Sequence, residues 1–97
     1  MAPTYERTGR FDRDWDALSP SDQERFREMV TKFDADLESG RFRPGIGVKP
    51  IEGPSNVYEV AFAPEGRATW EYGKPVLDGE THVIWRRVGI QAIIGRP

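Results

Sequence analysis

Val57-Tyr58-Glu59-Val60-Ala61-Phe62-Ala63, then Pro64-Glu65-Gly66, then Arg67-Ala68-Thr69-Trp70-Glu71-Tyr72: these sixteen residues decide the fold. In the first run Tyr58, Val60 and Phe62 fall on one face. In the second, Ala68, Trp70 and Tyr72 alternate with charged or polar neighbours. A period of two belongs to strands with one buried face, and Pro-Glu-Gly between them is a tight turn, so the stretch predicts a β-hairpin.

Working outward, Gly73 to Glu80 is a loop rich in turn formers, and Thr81 to Val88 is a last long strand. There Val83, Trp85 and Arg87 alternate with His82, Ile84 and Arg86. Neither set is purely polar, which predicts a central strand partly covered on both faces. The tail Gly89 to Pro97, carrying Ile90, Ile93 and Ile94, is expected to fold back onto the sheet. Upstream, Lys49-Pro50-Ile51 reads as a short strand or its lead-in, followed by the turn cluster Glu52-Gly53-Pro54-Ser55-Asn56.

Before Gly40 the period is helical. Phe26, Val30, Phe33 and Leu37 recur at spacings that make one buried face, Ser19 is a capping residue, Pro20 suits the first helical position, and Asp22 complements the dipole. This predicts a helix over Pro20 to Ser39, stopped by Gly40. A shorter helix, Asp12 to Leu18 with Asp12 as its cap, follows from Phe11, Trp15 and Leu18, and Thr4 to Thr8 is a candidate first strand broken by Gly9. The expected architecture is α+β: a short N-terminal strand, then a two-helix hairpin packed on a three- to five-stranded antiparallel sheet, in one domain spanning 1–97.

Composition narrows the function classes. There is no cysteine and a single histidine, so no thiolate or His-rich metal site is available and no cofactor is expected. No apolar run spans a bilayer, which sets the expectation of a cytoplasmic protein without a membrane partner. The net charge of −2 opposes unaided nucleic-acid binding, which normally rests on a basic excess. The asymmetry matters more: residues up to Glu38 hold 6 Lys and Arg against 10 Asp and Glu, whereas the remainder holds 8 against 6. An acidic helical half and a mildly basic sheet leave room for one cationic face on the sheet, and the face away from the helices is where Arg67, Arg86 or Arg87, Lys49, Trp70 and Tyr58 would form a ligand site.

Val48-Lys49-Pro50-Ile51, Val57-Tyr58-Glu59-Val60, Gly66-Arg67-Ala68-Thr69-Trp70 and His82-Val83-Ile84-Trp85-Arg86-Arg87-Val88-Gly89-Ile90 resemble the RelE/ParE superfamily of toxins, and the likeness extends from Phe11 to the C-terminus. The resemblance implies two helices on an antiparallel sheet, a cognate antitoxin protein as partner and, for the RelE branch, cleavage of mRNA on the ribosome with the RNA 2′-hydroxyl as nucleophile. Such chemistry needs a proton acceptor, cations for the phosphate and a proton donor for the leaving oxygen.

By that resemblance Arg67, at the start of the second hairpin strand, stabilises the phosphate, with a salt bridge to Glu59 or Glu71 as the structural alternative. Lys49 takes the position of a charged catalytic side chain, as base or electrostatic partner. Arg86 and Arg87 would hold RNA, and Trp70 or Tyr58 would stack on a base, unless those aromatics belong to the core. Where relatives carry a histidine near the C-terminus this chain has Gln91, which cannot shuttle protons. His82, the one imidazole, lies most of a strand earlier. The non-catalytic alternatives are a gyrase-binding module of the ParE kind, or a toxin reduced to antitoxin binding.

Overall fold

The computed structural model describes residues 3–53 and 56–97. Pro54 and Ser55 of the expected turn cluster lie outside the described residues. Strand β1 (Thr4–Arg7) leads into helices α1 (Gly9–Ala17) and α2 (Pro20–Leu37), and β2 (Lys49–Pro50), β3 (Val57–Ala61), β4 (Gly66–Tyr72) and β5 (His82–Ile90) follow. Short 3-10 helices occupy Pro44–Ile46 and Gln91–Gly95.

The helix starts obey capping chemistry, with one correction. Thr8, not Asp12, caps α1: its Oγ1 accepts the Phe11 N–H at 3.1 Å, while Asp12 sits in the first turn. Gly9 therefore opens the helix instead of merely ending the strand, because the preceding hydroxyl satisfies an amide that a helix start leaves free. Ser19 caps α2 as expected, accepting from Asp22 N–H at 3.1 Å with Pro20 behind it. The helix ends at Leu37, two residues short of Ser39, and Gly40 takes a left-handed φ of 72°.

Phe26, Met29, Phe33 and Leu37 form the buried stripe of α2, and Val30 is half-buried beside them. The Phe33 ring is wholly buried and meets Trp70 edge-on at 4.9 Å and Trp85 at 5.1 Å. Tyr58, Val60, Ala68, Trp70, Val83, Trp85 and Val88 thus make the helix-facing side of the sheet.

The strand order is β1-β5-β4-β3-β2. Strands β2 to β5 pair antiparallel, as the hairpin signals require, but β1 runs parallel to β5, so the sheet is mixed and the wholly antiparallel expectation is corrected. Turn residues encode pairing between neighbours in sequence, and β1 has no such neighbour; its partner arrives 75 residues after its last residue. Strand β5 is interior, as its two-sided pattern predicts.

One bulge shapes β5. Thr69 lies opposite Arg87 and Trp70 opposite Trp85, so Arg86 is an extra residue with no counterpart on β4. Beyond the end of β1, α1 supplies partners to the exposed edge of β5: Thr8 Oγ1 donates to Arg86 O at 2.7 Å and Val88 N–H donates to Asp14 Oδ2 at 3.3 Å. The C-terminal 3-10 helix folds back as expected, with Ile93 buried and its Cγ2 just 3.1 Å from where a Cβ on Gly89 would stand.

Candidate functional site

The face of the sheet turned away from the helices carries a polar row set by register. Lys49 on β2 pairs with Glu59 on β3, Glu59 with Thr69 on β4, and Thr69 with Arg87 on β5. Arg67 stands next to this row, paired with Ala61 and Gly89.

Glu59 is the centre of the arrangement. It is buried, and its Oε1 lies 3.8 Å from Lys49 Nζ and 3.8 Å from Arg67 Nε. From the sequence alone Glu59 is no more than a salt-bridge partner for Arg67. The signal was present, since Glu59 and Arg67 both alternate with core residues of the same hairpin, but its burial between two cations appears only with β2 in place.

Arg67 is anchored by the hairpin turn. Its Nη1 donates to Ala63 O at 3.2 Å, Pro64 O at 3.3 Å and Gly66 O at 2.9 Å, leaving the side chain 18 % exposed. The turn needs glycine for a steric reason: a Cβ on Gly66 would stand 2.6 Å from the Phe62 ring. The guanidinium is thus held in one orientation by backbone carbonyls, which spares it the entropy cost of ordering when it meets an anion. Lys49, by contrast, is 68 % exposed and free to move toward a ligand.

The remaining expected residues are placed as follows. Gln91 opens the C-terminal 3-10 helix with its side chain exposed, one residue beyond β5. Arg86 forms an ion pair with Glu71 and donates through Nε to Pro97 O at 3.0 Å. Arg87 makes a two-pronged contact with Asp14, Nε to Oδ2 and Nη2 to Oδ1 both at 2.9 Å. Burial pushes the Asp14 carboxyl up, but the Arg87 hydrogen bond, the Val88 amide and the charges of Arg87 and Arg10 outweigh it and hold the group below its ordinary value. Arg87 thus fastens α1 to β5, which accounts for its two-pronged contact without RNA.

Trp70 needs correction as a base-stacking platform. It is 0 % exposed, on the helix side, packed between Phe33 and a Tyr58 ring stacked at 4.8 Å. Alternation puts it on the opposite face from Arg67 and Thr69, and no nucleobase reaches it. Tyr58 shares that side and is half-buried against the same core. His82, the first residue of β5, is buried against β1, with Nδ1 2.7 Å from Thr4 Oγ1 and Nε2 2.6 Å from Glu6 Oε1. Both ring nitrogens are engaged in tying the parallel edge strand down. Among the described residues no group of three or more His, Cys, Asp or Glu side chains could hold a metal ion.

No protein-family model matches the chain, and no curated protein matches it. Solved structures do. A chain of the E. coli DinJ–YafQ toxin–antitoxin complex superposes with a TM-score of 0.70 at 13% identity, covering 95% of this chain and 96% of that one. A chain of the archaeal RelE–RelB complex from Pyrococcus horikoshii OT3 gives 0.64 at 14% identity, with 100% of each covered. The YoeB/ParE toxin from Agrobacterium tumefaciens gives 0.66 at 9% identity, covering 90% of this chain and 96% of its own. With 90–100% of the chain superposed in each case, this chain has the RelE/ParE toxin fold.

Proposed function

We propose that this chain is the toxin of a toxin–antitoxin pair and that it cleaves mRNA on the ribosome. The observation that carries the reading is the convergence of Lys49 and Arg67 on Glu59, on the sheet face opposite the packed helices. Two cations with one buried carboxylate leave a net positive spot in a chain of negative charge. Neighbours of the same fold solved as DinJ–YafQ and RelE–RelB complexes support an antitoxin as partner.

In this reading the RNA 2′-hydroxyl attacks the adjacent phosphorus, the bond to the 5′-oxygen breaks, and negative charge gathers on the non-bridging oxygens. Arg67 meets that charge from a fixed position, and a planar fork suits phosphate oxygens. Lys49 adds charge as an ammonium or, as an amine, takes the hydroxyl proton. Glu59 positions both cations. Gln91 orients the substrate through its amide and has no proton to give at neutral pH, so proton transfer to the leaving oxygen receives less help than a histidine would provide.

A second reading has its own observation. Arg86 and Arg87 are each engaged by a carboxylate, and Gln91 does not titrate, which favours a non-catalytic module that arrests its target by protein contact, as a gyrase inhibitor of the ParE kind would. Expression in bacteria with mapping of mRNA 5′ ends, alongside a gyrase supercoiling assay, separates the two. New 5′ ends inside coding regions are expected; growth arrest with intact mRNA and inhibited supercoiling would establish the second reading instead.

A further inference from the structure

A groove of about 410 Å³ opens between α2, the 3-10 helix at Pro44–Ile46 and the tip of the β3–β4 hairpin, and Arg67 forms part of its wall. Its charged lining consists of Arg25, Glu28, Lys32 and Arg67. Three cations face one carboxylate, and two of them, Arg25 and Lys32, come from the otherwise acidic helical half of the chain. Arg25 and Lys32 lie seven positions apart on α2, so they share one helix face and are separated by about 10 Å along the axis. Both are exposed. Arg25 contacts Asp22 at 3.1 Å in a surface pair that water and salt weaken, and Lys32 has no ion pair among the described residues.

The apolar lining, Met29, Ile46 and Phe62, is mostly withdrawn into the core, so the groove offers charge more than hydrophobic area. A row of cations along a groove, ending at a guanidinium fixed by backbone carbonyls, matches a linear polyanion better than an apolar peptide.

We infer that this groove is the path of the RNA backbone: Arg25 and Lys32 bind phosphates flanking the one held at Arg67, so that α2 sets the direction in which a single strand enters the site. The inference rests on the reading of the chain as acting on RNA, and it adds a binding surface outside the sheet. Glu28 lies inside the groove and weakens it by repulsion.

The test is fluorescence anisotropy with a short labelled single-stranded RNA of mixed sequence, measured across a salt series with the full chain. The double variant Arg25→Ala/Lys32→Ala is compared with Arg41→Ala/Lys74→Ala, which removes the same charge from exposed positions outside the groove. Loss of two phosphate contacts should weaken binding by roughly tenfold at low salt and lower the slope of log K against log salt by about 1.4. Glu28→Gln should tighten binding. Equal losses in both double variants, or no RNA binding by the parent, would overturn the inference. So would binding displaced by an acidic peptide with no RNA affinity remaining, which would mark the groove as a protein-docking surface.

Mapping mRNA ends in cells keeps this separate from the parent reading. Cleavage in cells by both double variants at the parent's rate sinks the groove and leaves the function standing. Groove-dependent RNA binding without any cleavage sinks the chemistry and leaves the groove.

Discussion

The two faces of one sheet use the same strands for opposite purposes. On the helix side, Trp70, Trp85, Val60 and Ala68 are packed against Phe33 and Phe26 with almost no exposed area. On the other side, Lys49, Glu59, Thr69 and Arg87 form a row in which every cation has a carboxylate nearby. The first face gains its stability from buried area, which is non-directional and roughly additive. The second depends on the geometry of a few charged contacts, where position decides whether a group fastens the fold or meets a ligand. Arg87 illustrates the fastening role through Asp14, whereas Lys49, exposed beside Glu59, is left free to move in the proposed site.

Three substitutions on the two faces, with a fourth at Arg43 as a reference, sharpen that contrast. Phe33→Ala removes a fully buried ring that meets Trp70 edge-on, Trp85 tilted and Phe42 stacked, and should cost about 3–5 kcal/mol in chemical denaturation. A loss below about 1 kcal/mol would mean that the aromatic face is not the main source of stability.

Asp14→Ala breaks the two-pronged contact with Arg87 and frees the Val88 amide, for an expected loss of about 1–3 kcal/mol at neutral pH. The effect depends on pH with a defined sign. Because the folded carboxyl titrates below its ordinary 3.8, its contribution is fully present above that value and is lost as the pH falls through the folded value. Parent and variant should therefore converge in stability in acid. Asp36 serves as a reference away from both sheet faces: its titration is held down to about 2, first by the Arg43 side chain and then by the Arg43 amide, so Arg43→Ala should return it only part of the way to 3.8.

Thr69→Val is expected to have the smallest effect. The Thr69 hydroxyl is fully buried and has no hydrogen-bond partner among the described residues, so an isosteric methyl should leave stability unchanged or raise it by up to about 1 kcal/mol. A loss larger than that would show that the hydroxyl is engaged within the polar row.

Much of the apolar face could be read from the sequence because burial leaves a periodic trace. The β3–β4 hairpin, the α2 stripe and its Ser19-Pro20 start all follow from spacing and capping. The spacing alone points to Val30 where packing buries Met29, because a period of 3.6 admits either. The parallel pairing of β1 left no local trace. Neither did the capping role of Thr8, which becomes clear only when β1 is seen to end beside it.

The polar face was legible in residue types and not in partners. Lys49 and Arg67 converge as expected of a shared face, but the carboxylate between them depends on strand register. Trp70, expected on the ligand face, lies on the other one, as its alternation with Arg67 requires. Arg86 and Arg87 differ in their partners because a bulge inserts Arg86, and no sequence pattern announces a bulge of that kind.

The most direct test of the account is the Arg67→Lys variant, expressed in bacteria beside the parent with mRNA 5′ ends mapped and folding checked by circular dichroism. It keeps the charge and loses the fork that the Ala63, Pro64 and Gly66 carbonyls hold in place. The account predicts a folded variant with coding-region cleavage reduced by roughly a hundredfold, as removal of one transition-state donor does elsewhere. A folded Arg67→Lys variant that cuts mRNA as well as the parent would contradict it.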